Sequence, residues 1–221
     1  MYPRQLSYHV LSVSFAIIVA SATYADACGS GKVILQDKFE MLDPAWGFDP
    51  ESTIRSNGPD GLTYKLGPDN FVNLLNQSGI YDNYEVCAVF SSTVPENSDA
   101  YVSINFWASD YDNLYGTDVF PARGTFDVYR VQRKKFLTPV SATSNPAIVK
   151  GINATNEISV TVNGHKGTLV INGKKVIDFT GQPPEDGSQF GFFVGTGKND
   201  TGPSTLTLKS IELREVGPSQ P

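Results

Sequence analysis

The feature that most constrains this chain is the segment running from Glu157 to Phe179. Ile158, Val160 and Val162 alternate there with Ser159 and Thr161, and Asn163-Gly164 follows. Thr168–Ile171 resumes the apolar pattern, and Asn172-Gly173 turns the chain again into Lys174–Phe179. A period of two places every apolar side chain on one face of a strand. Asn-Gly supplies the two positive-φ positions of a type I′ hairpin. The segment therefore predicts a three-stranded antiparallel meander, each turn being an Asn-Gly pair.

The same grammar covers the rest of the chain. Strands are predicted at Lys32–Phe39, Leu62–Leu66, Phe71–Leu75, Asp82–Ser91, Ala100–Ala108 and Asn113–Phe120, then at Gly124–Gln132, Gln189–Gly195 and Ser204–Glu215. Breaks fall at Pro44, Gly58-Pro59-Asp60-Gly61, Pro95, Pro121, Pro146 and Gly181–Gly187. No long stretch has helical periodicity. About a dozen short strands with turn residues every 8 to 12 positions or so predict an all-β, two-sheet antiparallel sandwich. It forms one domain over residues 28–216, with a disordered tail at 217–221 and no internal repeat or linker.

Met1–Ala27 reads as a secretory signal peptide. Arg4 supplies the basic start, Val10–Ala22 the apolar stretch and Ala25-Asp26-Ala27 the cleavage pattern. The apolar stretch falls short of the ~20 residues that span a bilayer, and the competing reading is a buried first helix. No later segment is apolar enough to span, so the expected location is periplasmic or secreted. Cleavage after Ala27 makes Cys28 the first mature residue, which opens two readings. Lipidation at Cys28 would want a Leu-like residue three positions earlier, where Ala25 stands. A disulfide from Cys28 to Cys87, the other thiol of the chain, is the simpler expectation for an exported protein. Its loop of about 60 residues is worth roughly 4 kcal/mol in the chain-entropy account.

Composition then excludes chemistry. The two His are His9, in the leader, and His165, in a tight hairpin connection. A four-ligand Cys/His zinc cluster cannot be built, and serine or cysteine catalysis lacks a well-placed base. The net charge of −6 argues against nucleic acid or an anionic membrane as partner. The basic run Arg130, Arg133, Lys134, Lys135 reads as a solvated hairpin end. Asp110, Asp112 and Asn113, like Asp37 and Asp43, offer closely spaced oxygens of the kind calcium takes. The same residues are ordinary turn formers, so no cofactor is expected, calcium being the one these residues would suit. Sequons stand at Asn76, Asn153 and Asn199, relevant only in a host that glycosylates.

The central strands carry the candidate site. In Ala100–Ala108 the even positions Val102, Ile104 and Phe106 are apolar, and the odd positions Tyr101, Ser103, Asn105 and Trp107 mix aromatic and hydrogen-bonding groups. In Gly124–Gln132, Phe126 and Val128 should pack inward while Thr125, Asp127 and Tyr129 face the other way. Tyr115 lies just beyond the Asp110–Asn113 turn. If these strands are neighbours, Tyr101, Asn105, Trp107, Tyr115, Asp127 and Tyr129 share a face. Rings stack on the apolar faces of a sugar while amides and carboxylates pair with its hydroxyls. The competing reading is strand aromatics packed beneath loops. Glycoside hydrolysis needs two facing carboxylates, and Glu85, Asp127, Glu157 and Glu212 lie on or beside strands without an evident partner.

The opening VILQDKFEMLDPAWG resembles the first strand of concanavalin A-like (LamG-like) sandwiches, with D-x-F followed by Trp-Gly. INFWASDYDNLYG, GTFDVYRVQRKKFLTP, NEISVTVNGHKGTLVINGKKVIDFTGQPPEDGSQFGFFV and STLTLKSIELRE resemble the secreted 3-keto-disaccharide hydrolase-like domain family. The resemblance runs from Val33 to about Val216. It implies an exported jelly roll with carbohydrate as ligand class, and no catalytic set maps residue by residue. The expected function is glycan binding without catalysis. The alternatives are a glycoside or 3-keto-glycoside hydrolase and a structural or protein-interaction module of the envelope.

Overall fold

A computed structural model describes residues 28–49 and 51–217; the leader and most of the tail discussed above lie outside them. The described residues form fourteen strands in two antiparallel sheets. The first sheet contains β1 (Val33–Asp37), β2 (Arg55–Gly58), β3 (Gly61–Leu66), β5 (Tyr84–Thr93), β10 (Ala154–Asn163), β11 (Lys166–Ile171), β12 (Lys174–Thr180) and β14 (Ser204–Glu215). Its order is β12-β11-β10-β5-β14-β3-β2, with β1 on β14. The second sheet contains β4 (Phe71–Leu75), β6 (Tyr101–Asp110), β7 (Asn113–Phe120), β8 (Thr125–Gln132), β9 (Lys135–Ser144) and β13 (Gln189–Gly195). Its order is β4-β13-β6-β7-β8-β9. This is the two-sheet jelly-roll sandwich that the alternation predicts.

Between the sheets lies one core. Val102, Ile104 and Phe106 of β6 meet Val86, Ala88 and Phe90 of β5, Val160 of β10 and Leu208 of β14, all fully buried or nearly so. The D-x-F…W-G motif has a physical role at one side of this core. Asp37 accepts hydrogen bonds from the Phe39 backbone N–H (2.6 Å) and from Trp46 Nε1 (2.8 Å). That fixes both rings in the core, where Trp46 packs 5.1 Å from Phe192. Asp43 caps the short 3-10 turn Pro44–Trp46, and Gly47 ends it in the left-handed region.

The disulfide forms: Cys28 is bonded to Cys87 on β5, which leaves no free thiol at Cys28 to carry a lipid. The segment behind it is docked as well. Gly29 donates to Glu85 (2.8 Å), and Arg214 donates to the carbonyls of Gly29 and Gly31.

Several sequence expectations need correction. β2 and β9 were not foreseen. β2 is a four-residue polar strand, and β9 is exposed along almost its whole length and contains Pro139, so neither shows alternation. The first meander turn is Gly164-His165, because Asn163 pairs with Lys166. Of those turn residues only Gly164 has positive φ, the mark of a type II′ turn. The second turn, Asn172-Gly173, has positive φ at both residues and is the expected type I′. Asn76, at the first sequon, is fully buried, whereas Asn153 and Asn199 are exposed.

Candidate functional site

The outer face of the second sheet, away from the core, carries the most concentrated chemistry. Its middle strands present Tyr101, Ser103 and Asn105 from β6, Gly116 and Asp118 from β7, and Asp127 and Tyr129 from β8. In the β7–β8 ladder Val119 faces Phe126 and Gly116 faces Tyr129, which sets Asp118 directly opposite Asp127. In the β6–β7 ladder Ser103 faces Asp118 and Asn105 faces Gly116. Two carboxylates on facing positions of adjacent strands have their Cβ atoms about 5 Å apart.

Gly116 makes the cluster possible. A Cβ there would lie 2.3 Å from the ring end of Tyr129, so the absence of a side chain lets Tyr129 lie across β7 and reach β6. Its hydroxyl donates to Asn105 Oδ1 (2.7 Å) and lies 3.2 Å from Ser103 Oγ. Asn105 Nδ2 in turn donates to Asn73 Oδ1 on β4 (2.6 Å). Gly195 plays the same part beneath Tyr101, whose hydroxyl a Cβ would meet at 2.4 Å. A polar network thus spans five strands, from β8 to β4, under aromatic covers.

The acids are not fully satisfied by this network. Asp118 Oδ1 and Asp127 Oδ1 are buried without a hydrogen-bond partner. Burial, reinforced by the charge of Asp127, raises the Asp118 carboxyl well above the ordinary carboxylate range, with the Ser103 hydroxyl pulling the other way. Burial pushes Asp127 up to about 6, partly offset by a contact from the Asp118 backbone N–H. Tyr101 and Tyr129 are raised too, by burial first and then by the two aspartates. Each carboxyl is thus disfavoured in its charged form, by burial first and, at Asp118, by the neighbouring charge as well.

Rings flank the acids on both sides. Phe71 on β4 (64% exposed) meets Phe193 edge-on at 5.6 Å, and Phe193 meets Tyr101 at 5.1 Å. On the other side Phe136 on β9 (60% exposed) stacks on Tyr129 at 4.9 Å. The result is an aromatic band across the strands; between its halves Asp127 is partly exposed, while Asp118, Asn105 and Tyr129 are buried beneath the rings.

Of the six sequence candidates, Tyr101, Asn105, Asp127 and Tyr129 come together on this face. Trp107 and Tyr115 do not join them. Trp107 has φ 47° at an irregularity that shifts the β6–β7 register between Phe106 and Asp110. The alternation breaks there, and Trp107 turns inward beside Phe106, 2% exposed. Tyr115 faces the same side and meets Trp107 edge-on at 5.2 Å. Both instead line a cleft of about 330 Å³ at the end of the sandwich, together with Arg130 and Gln182.

Sequence reasoning misses Asp118, the partner across the ladder that Asp127 does not show in sequence. The signal was present. Counting back from the tight Pro121–Gly124 connection pairs position 118 with 127, and an acid at mid-strand between Thr117 and Val119 is unusual.

The calcium candidates form a turn. Asp110 Oδ1 accepts from the Asp112 backbone N–H and from Asn113 Nδ2, and Asp112 faces Lys134 at 3.7 Å. Cys28, Cys87 and Glu157 also lie together, but both sulfurs are spent in the disulfide. His165 sits at an exposed hairpin, its Nδ1 3.1 Å from the Gly181 carbonyl.

No family model matches the chain, and no curated protein does either. Solved structures do. The carbohydrate-binding module CBM66 from Bacillus subtilis has a TM-score of 0.55 at 12% identity, over 73% of this chain and 91% of that one. The exoplasmic/lumenal domain of VIP36, solved with Ca2+ and Man3GlcNAc, has a TM-score of 0.55 at 11% identity, over 76% and 84%. The Crh5 transglycosylase in complex with NAG has a TM-score of 0.56 at 11% identity, over 83% and 84%. At these identities the likeness is one of architecture, and the chain shares with them the concanavalin A-like jelly-roll sandwich.

Proposed function

We propose that this chain is an exported carbohydrate-binding sandwich whose glycan lies across the outer face of the second sheet. The observation that carries the reading is the aromatic band of Phe71, Phe193, Tyr101 and Phe136 with the partly exposed Asp127 between its halves, set over a buried frame of Tyr129, Asn105 and Asp118. Exposed rings suit the apolar faces of pyranoses, and planar carboxylates suit paired hydroxyls. Asp127, the partly exposed member of the pair, offers carboxyl oxygens to adjacent hydroxyls. That the similar sandwiches include a carbohydrate-binding module and a lumenal domain solved with bound Man3GlcNAc supports the same class of ligand. The disulfide is in keeping with an oxidising compartment.

Glycan-array screening followed by calorimetry tests the reading. Phe136→Ala and Asp127→Asn should each weaken the binding of the best glycan about tenfold or more while leaving the fold intact. Unchanged affinity in both variants would remove this face from the function.

A second reading, hydrolysis, is favoured by one specific observation: two carboxyls at facing positions of β7 and β8, both raised by burial. Pairs of that kind divide acid and base roles in glycoside cleavage. The protonated carboxyl would give its proton to the glycosidic oxygen, and the ionised one would attack the anomeric carbon or activate water. Release of new reducing ends from a bound oligosaccharide, abolished by Asp118→Asn, would establish it. Prolonged incubation without release would leave binding as the activity.

A further inference from the structure

The basic run at the β8–β9 hairpin has no part in the outer-face site. We infer that the cleft beside it is a second binding site, one that takes the anionic group, carboxylate or sulfate, of an acidic sugar. Arg130 lines the cleft, and its guanidinium carbon sits 5.0 Å over the Tyr115 ring. Among the described residues no carboxylate lies within ion-pairing reach of Arg130, Arg133 or Lys135; the neighbouring Lys134 alone is paired, with Asp112. Three unpaired cations within six residues stand out in a chain of net charge −6.

The ring under Arg130 positions the guanidinium without using its N–H fork, which makes no hydrogen bond among the described residues. A fork held in that way matches a carboxylate or sulfate bidentately. The local acids do not cancel it. Asp110 is committed to its own turn, and Glu185, which also lines the cleft, is solvent-exposed and makes no ion pair with Arg130. Arg133 is anchored at the same end, its backbone N–H donating to Asn113 Oδ1 (3.1 Å).

The remaining walls suit a sugar ring. Trp107, Tyr115 and the Pro183-Pro184 pair give an apolar side, while Asn113, Gln132 and Gln182 give planar amides. The loop is fixed in place: the Gln182 backbone N–H donates to Tyr115 Oη (3.1 Å), and Gly181 packs against the Trp107 ring, which a Cβ would meet at 2.3 Å. A volume of about 330 Å³ lies at the small end of ligand sites, which run from roughly 300 to 1,000 Å³.

The test is calorimetric titration with trigalacturonate, galactose 6-sulfate and neutral maltotriose, at physiological ionic strength so that diffuse attraction is screened. One or both acidic probes should bind more tightly than maltotriose, the carboxylate and sulfate arms telling which group is preferred. Arg130→Gln should weaken that binding about tenfold or more. Because Arg130 also packs on Tyr115, Gln132→Glu is the companion variant: it sets a negative charge at an exposed position of the cleft and should weaken acidic probes by a similar factor. Wild-type protein that binds neither acidic probe, or that binds maltotriose equally well, overturns the inference. So do acidic probes held undiminished by both variants.

Discussion

The aspartate pair makes the fold's stability depend on pH in the direction opposite to that of most carboxylates. Asp127 titrates at about 6 in the folded chain against about 3.9 when unfolded. The folded state therefore holds more protons than the unfolded state between these values, and stability falls as pH rises through the window. Two pH units at about 1.4 kcal/mol each would cost roughly 3 kcal/mol. Asp127 is partly exposed, so screening cuts this to about 1–2 kcal/mol. Asp118 is raised by the same causes and acts with the same sign, extending the loss above pH 6. For a domain of this size each kcal/mol moves Tm by about 2–4 °C. Calorimetric Tm should thus drop by at least about 2–8 °C between roughly pH 4.5 and 7.5. Asp127→Asn keeps the shape, removes the charge and relieves Asp118. It should be more stable than wild type by about 1–2 kcal/mol at pH 7.5 and should flatten the profile. A wild-type Tm that climbs over this range, or a profile that Asp127→Asn leaves unchanged, refutes the account of the pair as buried and mutually repelling.

Gly116→Ala would set a methyl 2.3 Å from the Tyr129 ring end; urea unfolding should show a loss of about 1–3 kcal/mol, and any glycan bound on that face should bind less well as Tyr129 leaves Asn105. Cys28→Ser opens a bridge of sequence separation 59 and should cost about 4 kcal/mol, seen as a lower denaturation midpoint that matches that of reduced wild type. Trp107→Ala empties a core position and should cost about 3–5 kcal/mol, so its effect on binding must be read beside its unfolding curve. Trp107→Phe, which keeps most of the packing, should retain outer-face glycan affinity within about twofold, whereas a loss as large as that of Phe136→Ala would place Trp107 in that site after all.

The strands were legible wherever one face is buried and the other is not. Ile158–Val162 and Val102–Phe106 announce themselves because their partners demand alternation, and Asn172-Gly173 because its backbone demands positive φ. β9 was illegible for the complementary reason: exposed on nearly every residue, it receives no pattern from a core. At Trp107 the alternation itself misled. A residue with positive φ inserts an irregularity into the strand, and beyond it inside and outside no longer follow parity.

The sequence by itself determined the sandwich, because burying a sheet writes a period of two along the chain. It also determined the composition of the candidate face: Tyr101, Asn105, Asp127 and Tyr129 were each readable from their own strand. Only the tertiary structure decided that Asp118 stands opposite Asp127, that Tyr129 crosses Gly116 to reach Asn105, and that Trp107 and Tyr115 close the end of the core beneath Arg130. Those are relations between strands. They are set by register, by a glycine gap and by one irregular φ, none of which leaves a periodic trace within a single strand.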